Sequence, residues 1–104
     1  MIHRKTLFRK IKQVVHSFDP LARIILFGSR ARGDYRKDSD WDFMILTEKQ
    51  FDWKWSDSII NKLYDVELET NQAIFATIEN VEKWDKNKVT EPLFRNIVKE
   101  GVEV

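Results

Sequence analysis

The chain has no cysteine, two prolines and three glycines in 104 residues. Without cysteine there is no disulfide framework and no thiolate metal site. So little proline and glycine excludes collagen-like or low-complexity sequence. No apolar run approaches the roughly 20 residues that a membrane helix needs. The opening Met1-Ile2-His3-Arg4-Lys5 leads into an amphipathic pattern, with neither an apolar signal core nor a small-residue cleavage site. These absences predict a soluble cytoplasmic protein with no membrane partner. Core material, by contrast, is ample. Apolar residues make up 42% of the chain, with seven Phe, four Trp and two Tyr, which excludes intrinsic disorder. The length predicts a single domain over residues 1–104.

The net charge of +1 conceals two unlike halves. Residues 1–37 carry ten Lys/Arg against Asp19 and Asp34, whereas residues 38–104 carry eight Lys/Arg against fifteen acids. That balance argues against a globally basic nucleic-acid binder. A basic region beside an acidic one suits a phosphorylated ligand and its metal, and equally suits an ordinary charged surface.

Leu7, Ile11, Val14 or Val15, and Phe18 fall at helical spacing over residues 4–18, and Asp19-Pro20 ends the helix. Ile24-Ile25-Leu26-Phe27 reads as a buried strand closed by Gly28, and Ser29 to Arg32 as one helical turn stopped by Gly33. Asp40 to Thr47 reads as a second strand with Asp40, Asp42, Met44 and Leu46 on one face. Phe51, Trp55, Ile59 and Leu63 mark a second helix. Trp55 fits that stripe as core, as Trp41 does on its strand, and Trp53 falls off it. The alternation of Asp65 to Glu69 predicts a strand that turns at Asn71-Gln72 and returns over Ala73 to Ile78 as a hairpin. Val81 to Lys86 reads as a short helical segment, and Pro92 opens a last helix that Gly101 stops. The order α-β-β-α-β-β-α predicts an α/β (α+β) fold: a small mixed β-sheet with helices on one face, the other face being left for a site.

The chemistry concentrates in Gly28-Ser29-Arg30-Ala31-Arg32-Gly33-Asp34 and Asp38-Ser39-Asp40-Trp41-Asp42-Phe43. A glycine at a strand end lets backbone approach a ligand, and a serine beside it adds a hydroxyl and an N–H. Arg30 and Arg32 add guanidinium forks that suit phosphate oxygens, unless they pair with Asp34 or Asp38. Asp40 and Asp42, two apart on a strand, project from one face, where two like charges repel and lose hydration. A divalent cation removes both costs, and Mg²⁺ takes one or two carboxylates together with water and substrate phosphates. His3 and His16 are each isolated from other candidate groups and read as surface residues.

Gly-Ser-x-Ala-Arg-Gly followed by Ser-Asp-x-Asp and an apolar strand resembles the nucleotidyltransferase superfamily that includes DNA polymerase β and the aminoglycoside nucleotidyltransferases. The short length resembles its minimal branch, the MNT proteins, as does the ending Pro92-Leu93-Phe94-Arg95-Asn96-Ile97 with Glu100-Gly101. The resemblance implies a nucleotidyltransferase-like fold in which Gly28 and Ser29 contact the triphosphate, with Arg30 and Arg32 as candidate phosphate clamps. Asp40 and Asp42 would hold Mg²⁺ as the catalytic pair. The reaction would move a nucleoside monophosphate from an NTP, ATP foremost, to an acceptor hydroxyl. The branch further implies a small helical HEPN-type partner in a toxin–antitoxin pair, with homo- and hetero-oligomers both open. A third carboxylate is usual on a later strand; the count back from Trp84 lands on Phe75, which leaves Asp65, Glu67 or Glu69 to replace it across the expected hairpin. If none does, the alternative is a weak or inactive antitoxin or interaction module of the same fold. A small-molecule transferase would need an acceptor pocket that so short a chain has little room to build.

Overall fold

The computed structural model describes residues 3–50 and 52–104; Phe51, which heads the expected stripe of the second helix, lies outside them. Helix α1 spans Arg4–Phe18 and buries Leu7, Ile11 and Val15. The Nδ1 of His3 caps its start by accepting from Lys5 N–H at 3.2 Å. Its end is set at Asp19, where Pro20 forbids another helical residue. The buried Asp19 carboxylate accepts from Leu21 N–H at 3.0 Å and from the Thr47 hydroxyl, so its burial is compensated. His16 pairs its Nε2 with the Ala22 carbonyl at 3.0 Å.

Strand β1 (Arg23–Phe27), helix α2 (Ser29–Arg32), strand β2 (Trp41–Thr47) and helix α3 (Trp53–Thr70) follow. They are succeeded by strand β3 (Ile74–Asn80), helices α4 (Val81–Asn87) and α5 (Pro92–Glu100), and strand β4 (Val102–Glu103). The sheet order is β3-β2-β1-β4. β1 is antiparallel to β2 and β4, and β2 is parallel to β3. The sheet is therefore mixed, as the sequence predicts.

The expected hairpin is absent. Residues 65–69 continue α3, and β3 pairs parallel with β2 after α3 has crossed the sheet. Five alternating residues are too few to separate a strand from a helix. Val66 decides the matter, because it extends the buried positions Ile59 and Leu63 at i+7 and i+3, while Leu68 is 65% exposed. Asn71, at φ 56°, closes the helix in the left-handed conformation. An antiparallel partner joined by a tight turn is thus replaced by a parallel one that needs a long crossover.

Alternate strand residues feed two cores. Ile24, Leu26, Trp41, Phe43 and Ile45 pack with Leu7, Ile11 and Val15 of α1 and Ile59, Leu63 and Val66 of α3. Ile25, Met44 and Leu46 pack on the opposite face with Trp84 of α4 and Phe94 and Ile97 of α5. Helix coverage is thus more extensive than the one face expected: α4 and α5 cover part of the second. Asp40 remains exposed and Asp42 half-buried at the end of that second face.

Candidate active site

Gly28 sits between β1 and α2 at φ 77° and ψ −161°, a conformation that L side chains rarely adopt. A Cβ built there would collide with the Asp42 carboxylate. The bend and the aspartate therefore converge, and only glycine permits the approach. The Gly28 carbonyl accepts from Ala31 and Arg32 N–H at 3.0 Å each, and Ser29 O from Gly33 N–H at 2.9 Å. These bonds wind α2 into one tight turn, which Gly33 ends at φ 91°. Ser29 is half-buried at its start.

Asp42 lies on β2 opposite Phe27 of β1 and beside Phe75 of β3. Burial pushes its carboxyl above the usual range, and the neighbouring Asp40 charge adds to this. The Arg32 guanidinium opposes the shift, and Glu100 reinforces it. Asp40 immediately precedes β2 and is exposed on the same side.

The two arginines have different surroundings. Arg30 is 7% exposed, and its guanidinium lies against the Tyr35 and Trp41 rings at 4.4 and 4.3 Å. It donates to Ser39 O at 3.1 and 3.3 Å and to Lys37 O at 3.1 Å, which fastens the loop that delivers Asp40. Arg32 is exposed beside the Gly28 bend; its Nε donates to Asp34 at 3.3 Å and its Nη1 reaches both Glu100 oxygens at 3.2 and 3.3 Å. Those carboxylates hold the Arg32 guanidinium more firmly protonated than usual, Glu100 first.

Glu100 is the site residue that reading the sequence for chemistry overlooks. Its Oε1 also accepts from Gly28 N–H at 3.2 Å. The signal lay in Gly101: a Cβ there would strike Ile25 and the Ile97 carbonyl, so glycine lets the end of α5 lie against β1. None of the three acids expected as a substitute third carboxylate stands beside Asp42. The register puts Phe75 there, 59% exposed. Asp65, Glu67 and Glu69 belong to α3, which packs on the other face of the sheet. Glu67 accepts from Ile74 N–H at 2.7 Å, and Glu69 pairs with Lys10.

Among the described residues no group of three or more acidic, histidine or cysteine side chains is arranged to hold a metal. The Asp40–Asp42 pair nevertheless fits a hard cation that draws its remaining ligands from water and substrate phosphates. The raised Asp42 carboxyl marks a charge that such a cation would stabilise. The clefts between α1 and α3 and beside α5 are lined by neither Gly28 nor Asp42.

Known proteins are similar to this chain in sequence and in fold. Two proteins of Methanocaldococcus jannaschii carry the name "Putative protein adenylyltransferase". One, MJ0604, is 36% identical over 81 residues, which cover 78% of this chain and 75% of that protein. The other, MJ0141, is 58% identical over 31 residues, covering 30% of this chain and 31% of that protein. A solved structure described as "Crystal structure of the toxin-antitoxin with AMP-PNP" shares the fold. Its TM-score is 0.64 at 19% identity, over 91% of this chain and 69% of that one. The family described as "Polymerase beta, Nucleotidyltransferase" matches residues 9–104, and the chain belongs to it.

Proposed function

We propose that the protein transfers a nucleoside monophosphate, AMP foremost, from Mg²⁺-bound NTP to a hydroxyl on a partner protein. The observation that carries this reading is the convergence of the Gly28 bend on the Asp42 carboxylate, with Asp40 on the same side. The acceptor oxygen would bond to the α-phosphorus as its proton leaves to solvent. The bond from that phosphorus to the pyrophosphate oxygen would break, and pyrophosphate would depart with the electron pair. Asp40 and Asp42 would hold Mg²⁺, which supplies charge neutralisation on the phosphates when bound. The rest of the catalysis would be positioning, as is general for phosphoryl-type transfer. Gly28 and Ser29 would seat the triphosphate, with Arg32 as a cationic fork at its edge. Arg30 would act at one remove, by holding the loop that presents Asp40.

The acceptor would come from a second chain. The relatives named as protein adenylyltransferases support a protein acceptor, and the toxin–antitoxin neighbour supports a paired partner; the sequence resemblance to the minimal branch would make that partner a small helical HEPN-type protein. Incubation with α-labelled ATP, Mg²⁺ and the product of the adjacent gene tests this. Label on the partner, reduced at least about 100-fold by Asp42→Ala, is the expected result. A stable complex without label would favour the second reading, an inactive antitoxin of the same fold. Phe75 in the place of a third carboxylate is the observation that favours that alternative.

A further inference from the structure

We propose that Glu100 is a built-in stand-in for the triphosphate, holding the donors that the nucleotide needs and leaving them when Mg·ATP binds. The inference rests on the triphosphate reading of the site above, and it names the side chain that controls access to it. Glu100 takes the backbone N–H of Gly28 and both its oxygens face Nη1 of Arg32, at 3.2–3.3 Å. These are the amide of the bend that abuts Asp42 and a guanidinium whose charge acts on that aspartate. Among the described residues no other carboxylate accepts from the Gly28 amide.

On every other count the position disfavours a negative charge. Glu100 is the last residue of α5, where the helix dipole opposes a carboxylate. It also adds to the repulsion around Asp42. Its bonds to the bend and to Arg32 lie at the long end of the hydrogen-bond range. An anion of higher charge presented to the same donors would outcompete it, and the two cannot share them without strong like-charge repulsion. The exchange needs no movement of the helix. Phe94 and Ile97 anchor α5 in the core, while the Glu100 side chain is 21% exposed and can swing to solvent. A fixed brace that aims Arg32 at the phosphates would behave in the opposite way, since its loss would weaken binding.

The test is titration of the full chain with Mg·AMP-PNP by calorimetry. Glu100→Gln keeps the size and the acceptor oxygen but removes the charge, so the Kd is expected to fall about five- to tenfold, with no gain in the melting temperature of the free protein. An unchanged or higher Kd, with wild-type binding intact and lost in Asp42→Ala, overturns the proposal alone. Failure of wild type and Glu100→Gln alike to bind Mg·AMP-PNP overturns the nucleotidyltransferase reading and this proposal with it. Should the variant not fold, a crystal structure of the wild type with Mg·AMP-PNP decides. Gly28 N–H on a phosphate oxygen, with Glu100 turned away, is expected; Glu100 still on Gly28 overturns it.

Discussion

Asp42 carries a charge at a cost in stability, at the position proposed to hold the cation. Burial and the Asp40 charge raise its carboxyl pKa in the folded state. The folded protein therefore binds this proton more tightly than the unfolded chain does. The cost of ionising Asp42 is absent below the unfolded value of about 3.9, grows as pH rises through the folded value, and is fully present at neutral pH. Because the side chain remains partly solvated, that cost is small. Asp42→Asn is accordingly expected to raise the melting temperature at pH 7, with the gain vanishing toward pH 4. Calorimetry across that range checks it. Mg²⁺ should stabilise the wild type and leave the variant unmoved.

At the scale of the element, α3 carries the sharpest difference between sequence pattern and structure. A strand over 65–69 would place Val66 and Leu68 on the same face; the helix buries Val66 at 5% exposure and leaves Leu68 in solvent at 65%. Val66→Asp should cost about 3 kcal/mol or more, through a carboxylate forced into the α1–α3 core. Leu68→Asp should stay within about 0.5 kcal/mol, as surface changes do. Urea denaturation of the two variants measures the contrast, and equal losses would contradict the helix. The same crossover gives Asp42 its neighbour: a parallel β3 brings Phe75 beside it and leaves the α3 acids on the other face.

The whole molecule is a four-stranded sheet with a core on each face, and the site occupies the end of one face that α4 and α5 leave open. Core packing and the candidate site thereby fall on different strand positions. Phe43 is fully buried between the sheet and α1, with its ring 6.0 Å from that of Phe8. Phe43→Ala should cost about 3–5 kcal/mol, a large share of the roughly 5–15 kcal/mol that holds a domain of this size. Phe75→Ala, at an exposed position on the edge strand, should cost less than about 1 kcal/mol. Chemical denaturation of both separates the core-facing aromatic from the site-facing one.

Local features whose causes lie within a few residues were legible in the residue pattern. Apolar spacing set α1 and α5, Pro20 and Pro92 set helix ends, and Gly28-Ser29 with Asp40-x-Asp42 marked the candidate groups that the fold then brought together at Gly28 and Asp42. Contacts between residues far apart along the chain came from the packing of elements. Arg30 and Arg32 look equivalent two residues apart, yet the loop over Trp41 engages one and Glu100 the other. Glu100 lies 72 positions from the Gly28 amide it accepts from, and Asp65, Glu67 and Glu69 fit a strand or a helix equally well until Val66 finds its core. Pairing over such separations depends on packing between elements, which no local pattern of residue types encodes.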